Sequence, residues 1–282
     1  MSRPARGPLH VSGELLASKR VGAYRHLTLV APGIPERFRP GTFVALSVGG
    51  SPTGQGGGEH LARRCFWIHR VKPVGAFGAT IDLVVEPVGT GTRWLDALAP
   101  GATLELTGPL GRPFALPQEP VSCLLVGEGY ATAALLPLAE RLRERQCPVT
   151  LLVAADDEAH LLSAIETRRA ARAVTVVTAD GSVGRRGGVA DVLDEVLTQS
   201  AAAVVYAAGP ARTLHAVAEA AERHGAWSQT ALEQPLTCAT GLCHGCAVPV
   251  VGEDGAARTA RACVDGPVFR GDRVRWVDLA DA

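Results

Sequence analysis

The sequence predicts a multi-domain chain in which an antiparallel β-barrel is followed by an α/β doubly wound parallel sheet and a small C-terminal module organised by cysteines. Three observations predict it. Short apolar-polar alternations broken by Gly and Pro fill the first hundred residues, strand-like and helix-like runs alternate from about residue 120 to 224, and four closely spaced cysteines mark the end. Short strands at regular spacing with little helical periodicity read as a barrel, and strand–helix alternation reads as a parallel sheet.

In order, the barrel strands are expected over 9–16, 24–30, 42–48, 65–71, 80–87 and 103–107, with a short helical segment over 94–98. Between the third and fourth lies Gly49-Gly-Ser-Pro-Thr-Gly-Gln-Gly-Gly-Gly58, too poor in apolar side chains to order itself, and it is expected as a surface loop. A Pro-rich connector over 110–120 leads to strands over 121–126, 149–154, 174–178 and 204–208. Helices are expected over 131–145, 159–169, 189–199 and 213–224. The boundaries that follow are 1–112 for the barrel, 113–229 for the α/β domain and 230–282 for the cysteine module.

The chain has 282 residues, 47% hydrophobic and 20% charged, with 28 basic and 28 acidic side chains. Such a balance gives no reason to expect nucleic acid or an anionic membrane as a partner. No run approaches the length of a membrane span and the N-terminal residues lead into no apolar signal core, so a cytoplasmic location is expected. Seven cysteines leave Cys65, Cys123 and Cys147 outside the cluster, read as free thiols in a reducing compartment.

The cysteine segment reads Cys238-Ala-Thr-Gly-Leu-Cys243-His-Gly-Cys246, with Cys263 expected on a later strand. A C-x4-C-x2-C…C spacing is that of a plant-type [2Fe-2S] site, in which one tight loop supplies three thiolates and a distant residue the fourth. Gly241 and Gly245 should let the backbone turn its N–H groups toward the sulfurs, and a large side chain at either should be poorly tolerated. A structural zinc site is the alternative for four cysteines, although zinc sites usually pair two C-x2-C knuckles. A Rieske centre needs two histidines, and His244 stands alone as a surface residue.

Two further patterns suit nucleotides. Gly127-Glu128-Gly129 follows the first strand of the α/β domain, and Gly209-Pro210 follows a later strand on the same sheet edge, so both turns fit a shared dinucleotide crevice. In the barrel, Arg63-Arg64-Cys65-Phe66-Trp67 and Gly89-Thr90-Gly91-Thr92 pair a guanidinium with a turn of backbone N–H groups, a combination that suits a flavin diphosphate.

The order of these parts resembles the electron-transfer subunit of dihydroorotate dehydrogenase, a family of the ferredoxin reductase superfamily. The resemblance is carried by Arg63-Arg64, Gly89 to Thr92, Leu106-Thr-Gly-Pro-Leu-Gly111, Thr178-Ala-Asp-Gly-Ser182, Ala208-Gly-Pro210, Glu233, the cysteine loop and Cys263-Val-Asp-Gly-Pro-Val-Phe269. It implies FAD held by Arg64, Cys65, Phe66, Trp67, Gly91 and Thr92, and NAD(P)H at Gly127, Gly129, Gly209 and Pro210. A [2Fe-2S] cluster on Cys238, Cys243, Cys246 and Cys263 completes the set, and no catalytic side chain is called for. It also implies an FMN-containing dehydrogenase partner in pyrimidine biosynthesis, in a heterotetramer with two of each chain.

Several positions depart from the family pattern. Arg64-Cys65-Phe66-Trp67 stands in place of Arg-Pro-x-Ser, Glu86 in place of a common arginine, and Gly127-Glu128-Gly129-Tyr130-Ala131 in place of a glycine- and proline-rich turn. Glu86 and Glu128 are expected to repel a diphosphate if they face it. The alternatives are therefore a partner-binding or redox-sensing subunit without a nicotinamide site, or a stand-alone reductase of another acceptor.

Overall fold

A computed structural model describes residues 7–49, 60–72, 75, 78–162 and 171–280. The expected glycine-rich loop over 50–58 and most of the helix expected over 159–169 lie outside the described residues.

Six antiparallel strands close a barrel in the order β1-β2-β5-β4-β3-β6. They are β1 (Leu9–Val21), β2 (Tyr24–Val30), β3 (Phe43–Gly49), β4 (His60–Lys72), β5 (Thr80–Val85) and β6 (Thr103–Leu110). Every second residue points inward, so Leu27 and Leu29, Val44 and Leu46, Phe66 and Ile68, Ile81 and Leu83, and Leu104 and Leu106 fill the interior. A short helix, α1 (Thr90–Asp96), adds Leu95 to the same core.

The second sheet has seven strands in the order β10-β9-β8-β7-β11-β12-β15. Six are parallel: β7 (Cys123–Glu128), β8 (Val149–Ala155), β9 (Ala173–Thr178), β11 (Val204–Gly209), β12 (Trp227–Leu232) and, at one edge, β10 (Arg185–Arg186); β7, β8, β11 and β12 are largely buried. The chain first steps from β7 to β8 and β9, then returns to β11 on the other side of β7, so the order reverses between β7 and β11. The single helix expected over 131–145 is divided. A 3₁₀ segment, Gly129–Ala134, packs between barrel and sheet, and α2 (Leu136–Glu144) starts with Pro137 in its first turn, where a missing N–H costs nothing. The later helices are α3 (Leu193–Ser200) and α4 (Ala211–Arg223).

The cysteine segment is not a separate appendage. After a hairpin of β13 (Ala247–Val251) and β14 (Ala257–Arg261), β15 (Val268–Arg270) adds antiparallel to β12 and extends the α/β sheet. A last helix, α5 (Trp276–Ala280), is held by the Trp276 indole donating to the Gly271 carbonyl at 2.9 Å.

Two contacts fix the barrel against the sheet. Tyr24, buried in the barrel wall, donates its hydroxyl to the His160 carbonyl at 2.9 Å, beside an Ala23 N–H to Ala159 carbonyl bond of 2.8 Å. In the connector, Ala115 behaves like a strand residue: Gln229 accepts from its N–H and donates to its carbonyl, each at 2.8 Å, and Tyr206 donates to that carbonyl at 2.9 Å. Gln229 is buried, so removing its amide strands the Ala115 N–H. Gln229→Leu is therefore expected to lower unfolding free energy by about 1–3 kcal/mol in urea titrations, with the m-value unchanged.

Candidate functional site: a cleft beside the cysteine loop

Strand β4 brings the flavin-type residues into the junction. Its alternation sends Arg64 toward the barrel mouth and Cys65 and Trp67 outward, toward the other two modules. At the mouth, a Cβ on Gly91 would lie 2.9 Å from the Arg64 Nε and 3.1 Å from the Val48 Cγ2, so only glycine lets the guanidinium lie against the turn. Thr92 accepts from the Gly89 N–H at 3.0 Å and closes that turn. Arg64, Gly91 and Thr92 thus converge.

On the outward face lies a cleft of about 230 Å³ lined by Phe43, Cys65, Trp67, Tyr130, Glu233 and Leu236. Phe43 meets Trp67 edge to face, and the Trp67 backbone N–H donates to the Tyr130 hydroxyl at 3.4 Å. Glu233 keeps exposed area, yet protein atoms crowd its carboxyl. That crowding, with Glu86 as the strongest neighbouring charge, pushes it up to about 7 against the pull of a hydrogen bond with the Trp67 side chain. The crowding outweighs the exposed area because the carboxylate loses hydration on its cleft side. Glu86 faces His160, with 3.7 Å between Oε1 and Nε2, at the contact between the domains.

The cysteine loop begins where the cleft ends. Cys65 directs its thiol at the Leu236 carbonyl at 3.9 Å, two residues before Cys238. Within the loop the Cys243 N–H donates to the Cys238 sulfur and the Gly245 N–H to the Cys243 sulfur, both at 3.4 Å. The first of these bonds is the main reason the Cys238 thiol is pulled down to about 6. Cys246 and Cys263 are buried with their sulfurs 3.3 Å apart, and burial pushes the Cys263 thiol up to about 12. Two thiolates on one tetrahedral metal with bonds of about 2.3 Å stand roughly 3.7 Å apart, so this pair suits a shared iron. N–H groups aimed at sulfurs and two adjacent buried thiols are what a metal–thiolate centre needs.

The two loop glycines differ. Gly241 has φ +81 and a Cβ there would approach Val264 to 2.6 Å, as expected of a forced glycine. At Gly245 a Cβ would meet only the Cys243 sulfur, at an ordinary 3.6 Å, so protein atoms alone do not demand glycine there. His244 and Leu242 are exposed. A groove of about 890 Å³ is lined by Thr240, Cys263 and Val264 of the cysteine segment and by Glu36, Arg37 and Arg39 of the barrel.

The dinucleotide turns are more crowded than their glycines suggest. Gly127 is buried, and a Cβ there would lie 2.5 Å from the Thr132 hydroxyl. Gly209 is also buried, against the Glu128 side chain, while Gly129 (φ +56) and Pro210 remain partly open. Glu128, expected as a bare charge, is ion-paired to Arg212 at 2.6 Å and accepts from the Thr213 hydroxyl.

Residues 233–275 match the family described as the iron-sulfur cluster binding domain of dihydroorotate dehydrogenase B. The chain is 32% identical over 268 residues to the dihydroorotate dehydrogenase B (NAD(+)) electron transfer subunit of Bacillus caldolyticus, covering 92% of this chain and 96% of that one. The protein of the same name from Desulforamulus reducens is 30% identical over 247 residues, or 87% and 90% of the two chains. The chain belongs to this family of electron transfer subunits. A solved NADH-dependent reduced ferredoxin-NADP oxidoreductase, studied for flavin-based electron bifurcation, superposes with a TM-score of 0.79 at 27% identity, over 95% of this chain and 91% of that one. The ferredoxin reductase of carbazole 1,9a-dioxygenase shares the fold at 20% identity and a TM-score of 0.61, over 77% and 66%. The chain is thus an oxidoreductase subunit with the barrel, α/β sheet and iron–sulfur module of its family. Among the described residues no helix is long and apolar enough to cross a membrane.

Cys243→Ser is expected to lose iron and acid-labile sulfide while retaining flavin, because the loop is separate from the Arg64 turn. Gly241→Val should do the same through loop geometry alone. Since β15 is paired with β12 in the sheet and α5 packs on α4, any disorder after cluster loss should stay within about 236–261. Iron, sulfide and flavin analyses with amide exchange check all three expectations.

Proposed function

We propose that this chain is an FAD and [2Fe-2S] electron-transfer subunit that passes electrons between a reduced nicotinamide dinucleotide and the flavin of a partner dehydrogenase of the dihydroorotate dehydrogenase type. The observation that carries it is the continuity from the barrel mouth to the cysteine loop through Cys65, which lines the cleft and touches Leu236. When bound, the flavin would supply two-electron acceptance of a hydride and the cluster one-electron carriage.

The protein's part is holding and orienting. Arg64 would fork onto the diphosphate while the first turn of α1, Thr90 to Thr92, offers backbone N–H groups, and Phe43, Trp67 and Tyr130 would frame the ring. At about 230 Å³ the cleft is below the roughly 300–1,000 Å³ of pockets that enclose a drug-sized ligand, so it suits an inserted ring edge. Trp67 narrows it where the family pattern has a serine. Cys238, Cys243, Cys246 and Cys263 would hold the two irons, with Cys243 and Leu242 at the exposed tip. That tip, beside the groove lined by Arg37 and Arg39, offers a face for the partner, for which we propose an FMN-bearing chain in a two-plus-two assembly. A cytoplasmic setting fits free thiols throughout.

Anaerobic titration of the loaded chain with NADH, followed in the flavin and cluster absorption bands, tests the reading. Flavin bleaching followed by cluster reduction supports it, and an inert flavin that dithionite readily reduces contradicts it. Arg64→Ala should weaken FAD binding by about 1.5–3 kcal/mol, the scale of a charged hydrogen bond, as read from flavin retained on dilution. Unchanged retention would move the flavin site elsewhere.

A further inference from the structure

The carboxyl ends of β7, β8, β9 and β11 share one edge of the sheet, and the strand order reverses between β7 and β11. Parallel sheets take ligands in the crevice at such a reversal. Here the crevice is bridged by the chain itself. Glu128 ends β7, and its carboxylate crosses to the first turn of α4, where the Arg212 Nη2 stands 2.6 Å from Oε1 and the Thr213 hydroxyl donates to Oε2. α4 runs thirteen residues, and its N-terminal end carries the partial positive charge that would otherwise attract a phosphate.

Three details make this an occupied site rather than a passing contact. The Glu128 side chain is only 18% exposed whereas that of Arg212 is 75% exposed, so the carboxylate lies inside and the guanidinium outside. A Cβ on Gly209 would approach the Glu128 Cβ to 3.2 Å, so that glycine makes room for Glu128. The neighbouring strand ends add further carboxylates, Asp156 and Asp157 after β8 and Asp180 after β9, of which Asp157 is paired to His160.

The geometry points to Glu128 as an internal anion that competes with a dinucleotide's phosphates for the first turn of α4, so that a pyridine nucleotide binds weakly until the Glu128–Arg212 clasp opens. This rests on the reading of the crevice as the nucleotide site. Opening the clasp releases Arg212, an exposed guanidinium already beside the helix end, to pair with the incoming diphosphate. Glu128 thereby sets the affinity for the electron donor without touching the reacting atoms.

The test is calorimetric titration of the FAD- and iron-loaded full chain with NADH, and with ADP-ribose, which carries the diphosphate without the nicotinamide. Glu128→Ala is expected to bind both about tenfold more tightly, the effect of one partly screened like charge at close range. Glu128→Gln, which keeps the Thr213 hydrogen bond and loses the charge, should gain part of that, and Arg212→Ala should bind more weakly than the unaltered chain. If Glu128→Ala proves unstable in a thermal melt, the near-isosteric Glu128→Gln carries the test alone. Equal or weaker binding by Glu128→Gln overturns the proposal and makes the carboxylate a ligand contact, such as to ribose hydroxyls. Absence of binding by every protein, with flavin and iron contents normal, overturns the nucleotide reading of the crevice and the proposal with it.

Discussion

The antiparallel pairing of β12 with β15 is the constraint on which the site depends. β12 ends at Leu232, from which the chain passes Glu233 and enters the cysteine loop, and β15 begins at Val268, five residues after the fourth cysteine. Gln229, Thr230 and Ala231 pair with Arg270, Phe269 and Val268, and the Leu232 N–H donates to the Pro267 carbonyl at 2.9 Å. Both ends of the excursion are therefore tied together on one sheet edge. Bringing four thiols within reach of one metal centre costs loop-closure entropy, and this pairing closes the ends of the excursion before any metal binds. The same pairing holds Leu236 against Cys65, so the distance from cleft to cysteine loop is a property of the sheet rather than of a flexible tether.

A second consequence concerns the barrel. Arg112, at its end, donates its backbone N–H to the Gly266 carbonyl at 2.6 Å, and Phe114 donates to the Pro40 carbonyl at 2.9 Å. Barrel, sheet and cysteine segment meet around residues 111–115 and 266–267, next to the cleft. A redox chain gains from this because transfer between centres depends on their separation, and few bonds here are long levers. Arg64, Arg37 and Arg39 lie on the barrel side together with Glu36, while at the sheet's carboxyl edge Glu128 is paired to Arg212 and Asp157 to His160.

Much of this was legible in the sequence, for local reasons. Alternation with period two marks β2 and β5, continuous apolar runs mark β7 and β11, and the cysteine spacing is a signal confined to nine residues and one later cysteine, which the structure places in the turn after β14 rather than on the expected strand. Arg64 and Gly91 were recognisable as a pair of types, although only the closed barrel puts them in contact. Long-range side-chain pairing was not legible. Glu128 read as a bare charge because Arg212 and Thr213 lie more than eighty residues away, and Gly127 read as a phosphate glycine because nothing local announces that Thr132 packs onto it. Gln229, a polar residue inside a buried strand, gave no hint that it anchors the connector at Ala115. Membership of β15 in the larger sheet was hidden for the same reason, since a three-residue strand carries almost no periodicity.

In the function proposed above, the four cysteines would hold a redox cluster next to a flavin. The most direct measurement is the iron, acid-labile sulfide and zinc content of the anaerobically purified chain, together with its low-temperature EPR spectrum before and after dithionite. The expected result is about two irons and two sulfides per chain alongside one flavin, with a paramagnetic signal that appears only on reduction. Zinc in place of iron, no sulfide and no signal on reduction would contradict the account and leave a structural metal site on a flavoprotein fold.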